Sequence, residues 1–265
     1  MDGGYLVTTA VTSRRGEATE LAGKLGREYD LVCCTGGDGT LNETLTGLAA
    51  NGIDVPLGYI PCGSTNDFAV SRGLSMDIPT AARAMASGQC MSYDVGRFGS
   101  RYFSYVAAFG AFSWLSYTTD QNLKNILGHT AYILDALKDV YKIRPVQLTF
   151  RADGVCHEGE YIFGAVCNST SVAGTITLPE SVVDTCDGVF EVLLIRTPRT
   201  IADLDGIIRG LLNQDYSYPL IEFFRTKLLT VDSPEGLEWA LDGELCIPNG
   251  RVAVSVMPGF LKLQS

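Results

Sequence analysis

The pattern of apolar and polar residues changes once along the chain, near residues 90–95. Before this point, short apolar runs alternate with stretches whose apolar residues recur at helical spacing. The predicted strands are residues 5–11, 31–34 and 55–60. The predicted helices are residues 16–27, 41–50, a short helix ending near residue 72, and residues 79–87. Such alternation is typical of a parallel sheet covered by helices. We therefore predict an α/β N-terminal domain at residues 1–93.

After residue 93, apolar and polar residues alternate between hairpin-like turns, which indicates antiparallel sheet. The predicted strands are residues 101–109, 146–150, 160–167, 188–195, 224–231, 237–241 and 252–256. Helical insertions are predicted at residues 114–127, 131–142 and 201–212. The pattern predicts a β-rich, sandwich-like C-terminal domain at residues 94–265.

Composition narrows the classes of function. The net charge of −10 argues against nucleic acid as a partner, because binding to a phosphate backbone needs a basic face. The eight cysteines lie scattered in apolar runs, which predicts buried free thiols and a cytoplasmic chain. No apolar run approaches 18 residues, the length of a membrane span. Two histidines leave little for histidine catalysis or zinc binding.

Residues 36–43 read Gly-Gly-Asp-Gly-Thr-Leu-Asn-Glu and lie between a predicted strand and a predicted helix. Glycines let the backbone approach an anion, and the helix start offers unpaired N–H groups. Asp38 adds a carboxylate for a divalent ion or a ribose. An isolated Asp-Gly would indicate only a turn, but its place between strand and helix favours a phosphate-binding loop.

Three further polar turns carry candidate chemistry. Residues 61–67 follow the next predicted strand, so this loop and the first should meet at one crevice. In residues 184–189, an Asp carboxylate and neighbouring carbonyls suit a hard cation, although spacing alone favours a hairpin turn. Asp242 and Glu244 place two carboxylates two residues apart, which suits shared metal binding or a division between metal and base. That segment alone also reads as a turn.

Together these segments resemble the soluble diacylglycerol kinase family, whose catalytic domain is shared with sphingosine and ceramide kinases. The resemblance covers nearly the whole chain and depends on the order of its motifs. These are Gly36-Gly37-Asp38-Gly39-Thr40 with Leu41-Asn42-Glu43, Pro61-Cys62-Gly63-Ser64-Thr65-Asn66-Asp67-Phe68-Ala69, Asp94-Val95-Gly96, Asp187-Gly188 and Asp242-Gly243-Glu244.

The resemblance implies a two-domain, ATP- and Mg²⁺-dependent lipid kinase with its active site between the domains. It implies Glu244 as the general base, with Asp242 and Asp38 as further catalytic residues. The residues that it implies for nucleotide binding are Thr12, Gly36, Gly37, Asp38, Gly39, Thr40, Leu41, Asn42, Glu43, Ser64, Asn66 and Asp67. The family usually has Thr at the position of Ser64. A structural Mg²⁺ would use the Asp187 side chain with Asp184 and Val189.

The chain departs from the family pattern at its start. Family members begin with a strand and an Asn-Pro-x-Ser-Gly loop, whereas this chain is expected to enter at the family's second strand, with residues 12–18 matching. This departure would expose a sheet edge. Two alternatives stay open: an NAD kinase, which shares the first Gly-rich motif, and a noncatalytic lipid- or nucleotide-binding homologue. The resemblance further implies a lipid substrate at the membrane surface, peripheral membrane contact and a homodimer.

Overall fold

A computed structural model describes residues 4–64, 66–110, 144–172, 176–179 and 181–265. The predicted helical insertions at residues 114–127 and 131–142 lie outside the described residues. The helices are α1 (Glu17–Leu25), followed by a 3₁₀ turn (Gly26–Glu28), α2 (Asp38–Ala50), α3 (Asp67–Ser71), α4 (Ile78–Ser87) and α5 (Ile201–Leu212). The strands are β1 (Val32–Gly36), β2 (Leu57–Pro61), β3 (Cys90–Phe98), β4 (Arg101–Phe103), β5 (Val106–Gly110), β6 (Val146–Ala152), β7 (Val155–Cys167), β8 (Ser171–Val172), β9 (Ile176–Thr177), β10 (Phe190–Arg196), β11 (Ile221–Thr226), β12 (Leu228–Asp232), β13 (Trp239–Leu241), β14 (Glu244–Cys246) and β15 (Val252–Gln264).

The first part of the chain is a parallel sheet with helices, as the sequence predicts. Strands β1 and β2 pair in parallel, from Val32 opposite Leu57 to Gly36 opposite Pro61. Helix α2 connects them and packs against α1. Helix α4 begins at an Asp77 cap and ends at Gly88, which has a left-handed φ of 85°. The two parallel strands therefore end side by side, at Gly36 and Pro61.

The prediction of a strand at residues 5–11 is wrong. This segment has no regular secondary structure and pairs with no strand in the described part of the chain. The side chain of Leu6 is 100% exposed and that of Val11 is 85% exposed. Alternation stabilises a strand only when a neighbour takes its backbone hydrogen bonds and one face is buried. Neither condition holds for residues 5–11, so their alternating pattern does not produce a strand.

The second part of the chain is antiparallel and β-rich, which confirms the prediction for this region. Strand β10 lies between β7 and β11. Its side chains alternate between two hydrophobic clusters: Val192 and Leu194 point into one, whereas Leu193 and Ile195 point into the other. Trp239 belongs to the first of these clusters. The centroid of its ring lies 4.8 Å from the centroid of the Phe98 ring. Helix α5 occurs where it was predicted and begins with a capping box.

Two strands predicted as continuous are each divided in two. The predicted strand 101–109 is broken between β4 and β5, because the amides of residues 104–106 bond to the Asp242 side chain. The predicted strand 224–231 breaks between β11 and β12, where the Thr226 hydroxyl accepts a hydrogen bond from the amide of Leu228. In both places, a side chain replaces a neighbouring strand as the backbone's partner.

The last strand, β15, joins both parts of the chain into one 13-stranded sheet. It pairs with β3 in both of its halves and with β12 in its first half, and its last residues also run parallel to β2, with Leu263 opposite Leu57. An irregularity between Met257 and Leu261 includes Gly259, whose φ is +59°. This bend lets β15 pair with β12 before the irregularity and with β2 after it. The domain boundary at residue 93 stays a prediction.

All eight cysteines are free thiols, as predicted, but five of them are exposed rather than buried. The exposed thiols lie in loops or on strands. The apolar residues next to them in the sequence gave no sign of this exposure. The exposed cysteines are Cys33, Cys62, Cys90, Cys156 and Cys186.

Helices α1 and α2 pack at a contact that leaves no space for a side chain at Gly47. A Cβ atom on Gly47 would lie 2.3 Å from the carbonyl oxygen of Thr19 and 2.9 Å from the Cβ of Ala22. This glycine therefore lets α2 approach α1 closely.

We expect Gly47→Ala to destabilise the protein by about 2 kcal/mol, because the overlap with a backbone carbonyl outweighs the better helix propensity of alanine. The measurement is urea unfolding. The control is Ala50→Ser, at an exposed position of the same helix, which should change stability by less than about 0.5 kcal/mol. Equal stability of the Gly47→Ala and control variants would contradict close packing at Gly47.

Candidate active site

The loops that follow β1 and β2 touch each other, as the sequence predicts for the ends of neighbouring parallel strands. A Cβ atom on Gly63 would lie 2.5 Å from the Cα of Gly37. The amide of Cys62 donates to the carbonyl of Gly36 over 2.8 Å. Because both contacts are between backbones, larger residues at either glycine would push the loops apart.

Helix α2 begins at Asp38, three residues before the predicted start, so the Gly-rich run forms its first turn. The first-turn amides have no acceptor within the helix and lie at the positive end of its dipole. The Asp38 carboxylate accepts hydrogen bonds from the amides of Asp67 and Phe68 over 3.0 and 3.1 Å. Asp38 thus belongs to the first loop and caps α3, the helix that follows the second loop.

The second loop is held in shape by Asn66, which has a left-handed φ of 53°. Its side chain accepts from the amide of Gly63 over 2.9 Å and donates to the Gly63 carbonyl over 2.8 Å. Asn is one of the few side chains that tolerate this backbone conformation. The predicted residue Ser64 lies exposed at the tip of this loop.

Two carboxyl groups, those of Asp38 and Asp67, lie close together at the start of α2 and α3. Burial raises the pKa of Asp67, and the nearby negative charge of Asp38 raises it further. This repulsion marks a place where a cation would be stabilised.

The later residues of the Gly-rich motif face the protein interior. Leu41 is only 1% exposed and packs in the core, so it offers no surface to a ligand. Asn42 donates to the carbonyl of Tyr102 and to Asp242, over 3.1 and 3.0 Å. Glu43 accepts a hydrogen bond of 2.7 Å from the amide of Gly16. Of residues 36–43, the first five are half-buried and form the wall of the candidate site, and the last three anchor it.

Asp242 and Gly243 form the two-residue turn of the β13–β14 hairpin. Both have left-handed φ angles, 49° and 83°, as a type I′ turn requires. The Asp242 side chain is buried and accepts five hydrogen bonds. Its donors are the Ser104 amide (2.6 Å) and hydroxyl (2.9 Å), the amides of Tyr105 (3.0 Å) and Val106 (3.1 Å), and the Asn42 amide group (3.0 Å).

Burial raises the pKa of Asp242, and these donors act in the opposite direction by stabilising the charged form. With its oxygens enclosed by donors, the carboxylate connects α2, the β4–β5 corner and the hairpin. This placement fits the supporting role that the sequence suggested for Asp242 better than it fits a metal ligand.

Glu244 follows this turn and reaches the first turn of α2. Its Oε1 atom lies 3.1 Å from the point where a Cβ on Gly39 would be. Its Oε2 atom forms an ion pair with Arg15, in the loop before α1. A carboxylate, an arginine and unpaired helix amides therefore converge at one place. The predicted residue Thr12 lies in the exposed segment before this loop.

The predicted metal loop, residues 184–189, is a tight turn with its own internal partners. Asp184 accepts a 3.0 Å bond from the amide of Cys186, and Asp187 accepts one of the same length from the amide of Val189. Asp187 also forms an ion pair with Arg225. That ion pair occupies the carboxylate oxygen that a cation would use, and a metal site at these residues stays a prediction.

Asp94 holds this turn in place through hydrogen bonds of its side chain. Its buried carboxylate accepts from the amides of Gly188 and Gly259, over 2.6 and 2.7 Å. It therefore connects the acidic turn to the bend in β15. The sequence singled out Asp94 as part of a motif, but gave it no role.

Arg225 also contacts Glu191, a fully buried carboxyl on β10, over 3.0 Å. The second oxygen of Glu191 is buried without a hydrogen-bond partner. Burial raises the pKa of Glu191 to about 7, although Arg225 opposes this shift. Sequence reasoning missed Glu191, and it missed Arg15, because neither lies in a recognisable motif.

Two features are absent from the described residues. These residues contain no group of three or more His, Cys, Asp or Glu side chains that could hold a metal ion. Their helices include none that is long and apolar enough to cross a membrane.

We expect Asp242→Asn to destabilise the protein by about 3 kcal/mol, because an amide NH₂ would face buried N–H donors. Asp153→Asn is the matched control. Asp153 and Gly154 form the same left-handed turn in the β6–β7 hairpin, but at an exposed position. That variant should stay within about 0.5 kcal/mol in urea unfolding. Equal effects of the two substitutions would show that the buried bonds of Asp242 contribute nothing.

The pKa of Glu191 predicts a pH-dependent stability. Folded Glu191 keeps its proton up to a pKa of about 7, whereas an unfolded Glu loses it near about 4.3. Its contribution is therefore complete at low pH and declines as the pH rises towards 7. Between pH 5 and 8, Glu191→Gln should remove about 2 kcal/mol of this decline in urea unfolding, while exposed Glu158→Gln should not. Parallel pH profiles for the wild type and Glu191→Gln would contradict this prediction.

Comparisons with known proteins agree along the chain. The Diacylglycerol kinase catalytic domain family matches residues 2–98. The YegS C-terminal NAD kinase beta sandwich-like domain family matches residues 113–265. A diacylglycerol kinase of Bacillus subtilis is 32% identical over 244 residues, which cover 91% of this chain and 80% of that protein. One of Staphylococcus saprophyticus is 30% identical, with 91% and 79% covered.

Solved structures show the same fold. A putative diacylglycerol kinase from Bacillus anthracis superposes with a TM-score of 0.75 at 24% identity, covering 96% of this chain and 84% of that one. The two-domain architecture, with an α/β part followed by a β-sandwich, agrees with that likeness. The identity, the coverage and the match of both domain families show that this chain belongs to the diacylglycerol kinase family of lipid kinases.

Proposed function

We propose that this chain transfers the γ-phosphate of ATP to the hydroxyl of a diacylglycerol-like lipid, in a Mg²⁺-dependent reaction that gives a phosphatidic acid-like product. The observation that carries the proposal is the position of Glu244. Its carboxylate contacts the first turn of α2 at Gly39. A candidate base and a candidate phosphate site therefore share one cleft.

The phosphates of ATP would bind at the start of α2. Gly37 and Gly39 leave room for the backbone amides to approach anionic oxygens, and the helix dipole favours negative charge there. Thr40 is less free to contribute, because its side chain packs over Gly36, where a Cβ would lie 2.7 Å from the threonine hydroxyl. Thr12 and Ser64, both exposed, would add hydroxyl contacts.

Asp38 and Asp67 would hold Mg²⁺ together with the phosphates. The ion typically uses one or two carboxylates plus substrate oxygens, so a larger acidic cluster is not required. Burial and the nearby charge of Asp38 both raise the pKa of Asp67, which fits a site that is completed by a cation. When bound, the ion neutralises charge on the transferring phosphoryl group.

Glu244 would act as the general base. As the lipid hydroxyl attacks the γ-phosphorus, its proton moves to the Glu244 carboxylate and the new O–P bond forms. The bond between the γ-phosphorus and the bridging oxygen breaks, and its electron pair leaves on ADP. Positioning and charge stabilisation account for most of such a reaction. Asp242 supports the base by fixing the turn that precedes it.

The proposal also includes a cytoplasmic chain that meets its lipid at a membrane surface and forms a homodimer. One rival has an observation in its favour: the C-terminal family match carries the description NAD kinase beta sandwich-like. A chain of that kind would phosphorylate NAD instead of a lipid. A noncatalytic homologue would bind a ligand without turnover.

The test is product formation from ATP, Mg²⁺ and diacylglycerol in mixed micelles, compared with NAD under the same conditions. We expect phosphatidic acid and no NADP. Glu244→Gln should lower kcat by about 100-fold or more, the usual contribution of a positioned base. Glu238→Gln, exposed on the preceding loop, should leave kcat unchanged within about twofold.

Each alternative has its own outcome. Formation of NADP would show NAD kinase activity and contradict the proposed lipid kinase activity. Calorimetric binding of ATP without any product would favour the noncatalytic homologue. Wild-type activity that survives Glu244→Gln would leave the lipid kinase in place but remove Glu244 as its base.

A further inference from the structure

We propose that Arg15 is a positioning residue, which holds the Glu244 carboxylate towards the start of α2 so that it meets the acceptor hydroxyl. This inference depends on the proposed function. It begins from two adjacent arginines that take different partners. Arg14 pairs with Glu20 on the surface of the adjacent helix α1, over 2.6 Å. Arg15 reaches across the cleft to Glu244, 229 residues away in sequence.

The backbone on both sides of Arg15 is fixed. Ser13 bonds to the Glu17 carboxylate through its amide and its hydroxyl, over 2.6 and 2.9 Å. Gly16 turns the chain with a φ of 82° and donates its amide to Glu43 on α2. The guanidinium therefore starts from an anchored loop, and pairing with Glu244 restricts only the rotamers of its side chain.

Glu244 has few other restraints on its position. Its side chain is 33% exposed and stands on β14, a strand of three residues. Gly39 gives it a surface to lie against but no side chain to hold it. Phosphates bound at the α2 N-terminus would repel this carboxylate. The positive charge of the Arg15 guanidinium, which pairs with the Oε2 atom of Glu244, opposes that repulsion.

This arrangement predicts a defect in turnover rather than in folding. Exposed ion pairs contribute little to stability, so the melting temperature of an Arg15 variant should match that of the wild type. A base held less often in place lowers kcat while the substrates still bind. In the holoenzyme assay with Mg²⁺-ATP and diacylglycerol micelles, Arg15→Ala should lower kcat by about tenfold, with both KM values changed by less than about threefold.

Three further variants separate this role from others. Arg14→Ala, the matched control, should retain kcat within about twofold. Arg15→Lys keeps the charge and should restore kcat to within about threefold of the wild type. Arg15→Glu, which repels Glu244, should be more defective than Arg15→Ala while melting at the same temperature.

Several results would overturn the inference. Equal kcat values for Arg15→Ala and Arg14→Ala would mean that Arg15 does not position the base. A change confined to the KM for ATP would make Arg15 a nucleotide ligand instead. No product from the wild type would reject the proposed function, and the role of Arg15 with it. If the wild type is active and Arg15→Ala keeps the wild-type kcat, this inference alone is rejected and the proposed function stands.

Discussion

The buried carboxylate of Asp242 is the constraint on which the candidate site depends. It accepts five hydrogen bonds from two separate parts of the chain, four from residues 104–106 and one from Asn42. These bonds break the predicted strand 101–109 into two, fix a left-handed turn and connect the β-sandwich to α2 through Asn42. Glu244 begins the strand directly after this turn. The backbone position of the proposed base is therefore fixed by a neighbouring residue that performs no chemistry itself, whereas the side chain of the base pairs with Arg15.

Local sequence predicts the conformation of such a turn but not its environment. Asp153-Gly154 and Asp242-Gly243 have the same dipeptide, the same left-handed angles and the same place in a hairpin. One is exposed and the other is buried among backbone amides that lie 136 to 138 residues away. Backbone amides carry no side-chain signature, so no reading of the sequence could have matched Asp242 with Ser104 and its neighbours.

This difference between local conformation and tertiary environment also explains which predictions were confirmed. The parallel sheet, the antiparallel part and the meeting of the two loops follow from periodicity and from the geometry of parallel strands. The strand at residues 5–11 failed because alternation describes a segment and not its partner. Arg14 and Arg15 are alike in sequence, yet only Arg15 reaches the cleft. Its position depends on the turn at Gly16 and its bond to Glu43, which are tertiary features.

Two connections limit how the cleft can move. Strand β15 carries the parallel sheet and the sandwich in one continuous hydrogen-bonded network, down to Leu263 beside Leu57. Near the site, Asn42 bonds to the buried Asp242 from the opposite side. Opening the two parts like a hinge would leave a buried charge short of a donor, which costs more than an ordinary hydrogen bond returns. Among the described residues, both connections therefore oppose a hinge-like opening, whereas the partly exposed ion pair of Arg15 and Glu244 lies outside this buried network.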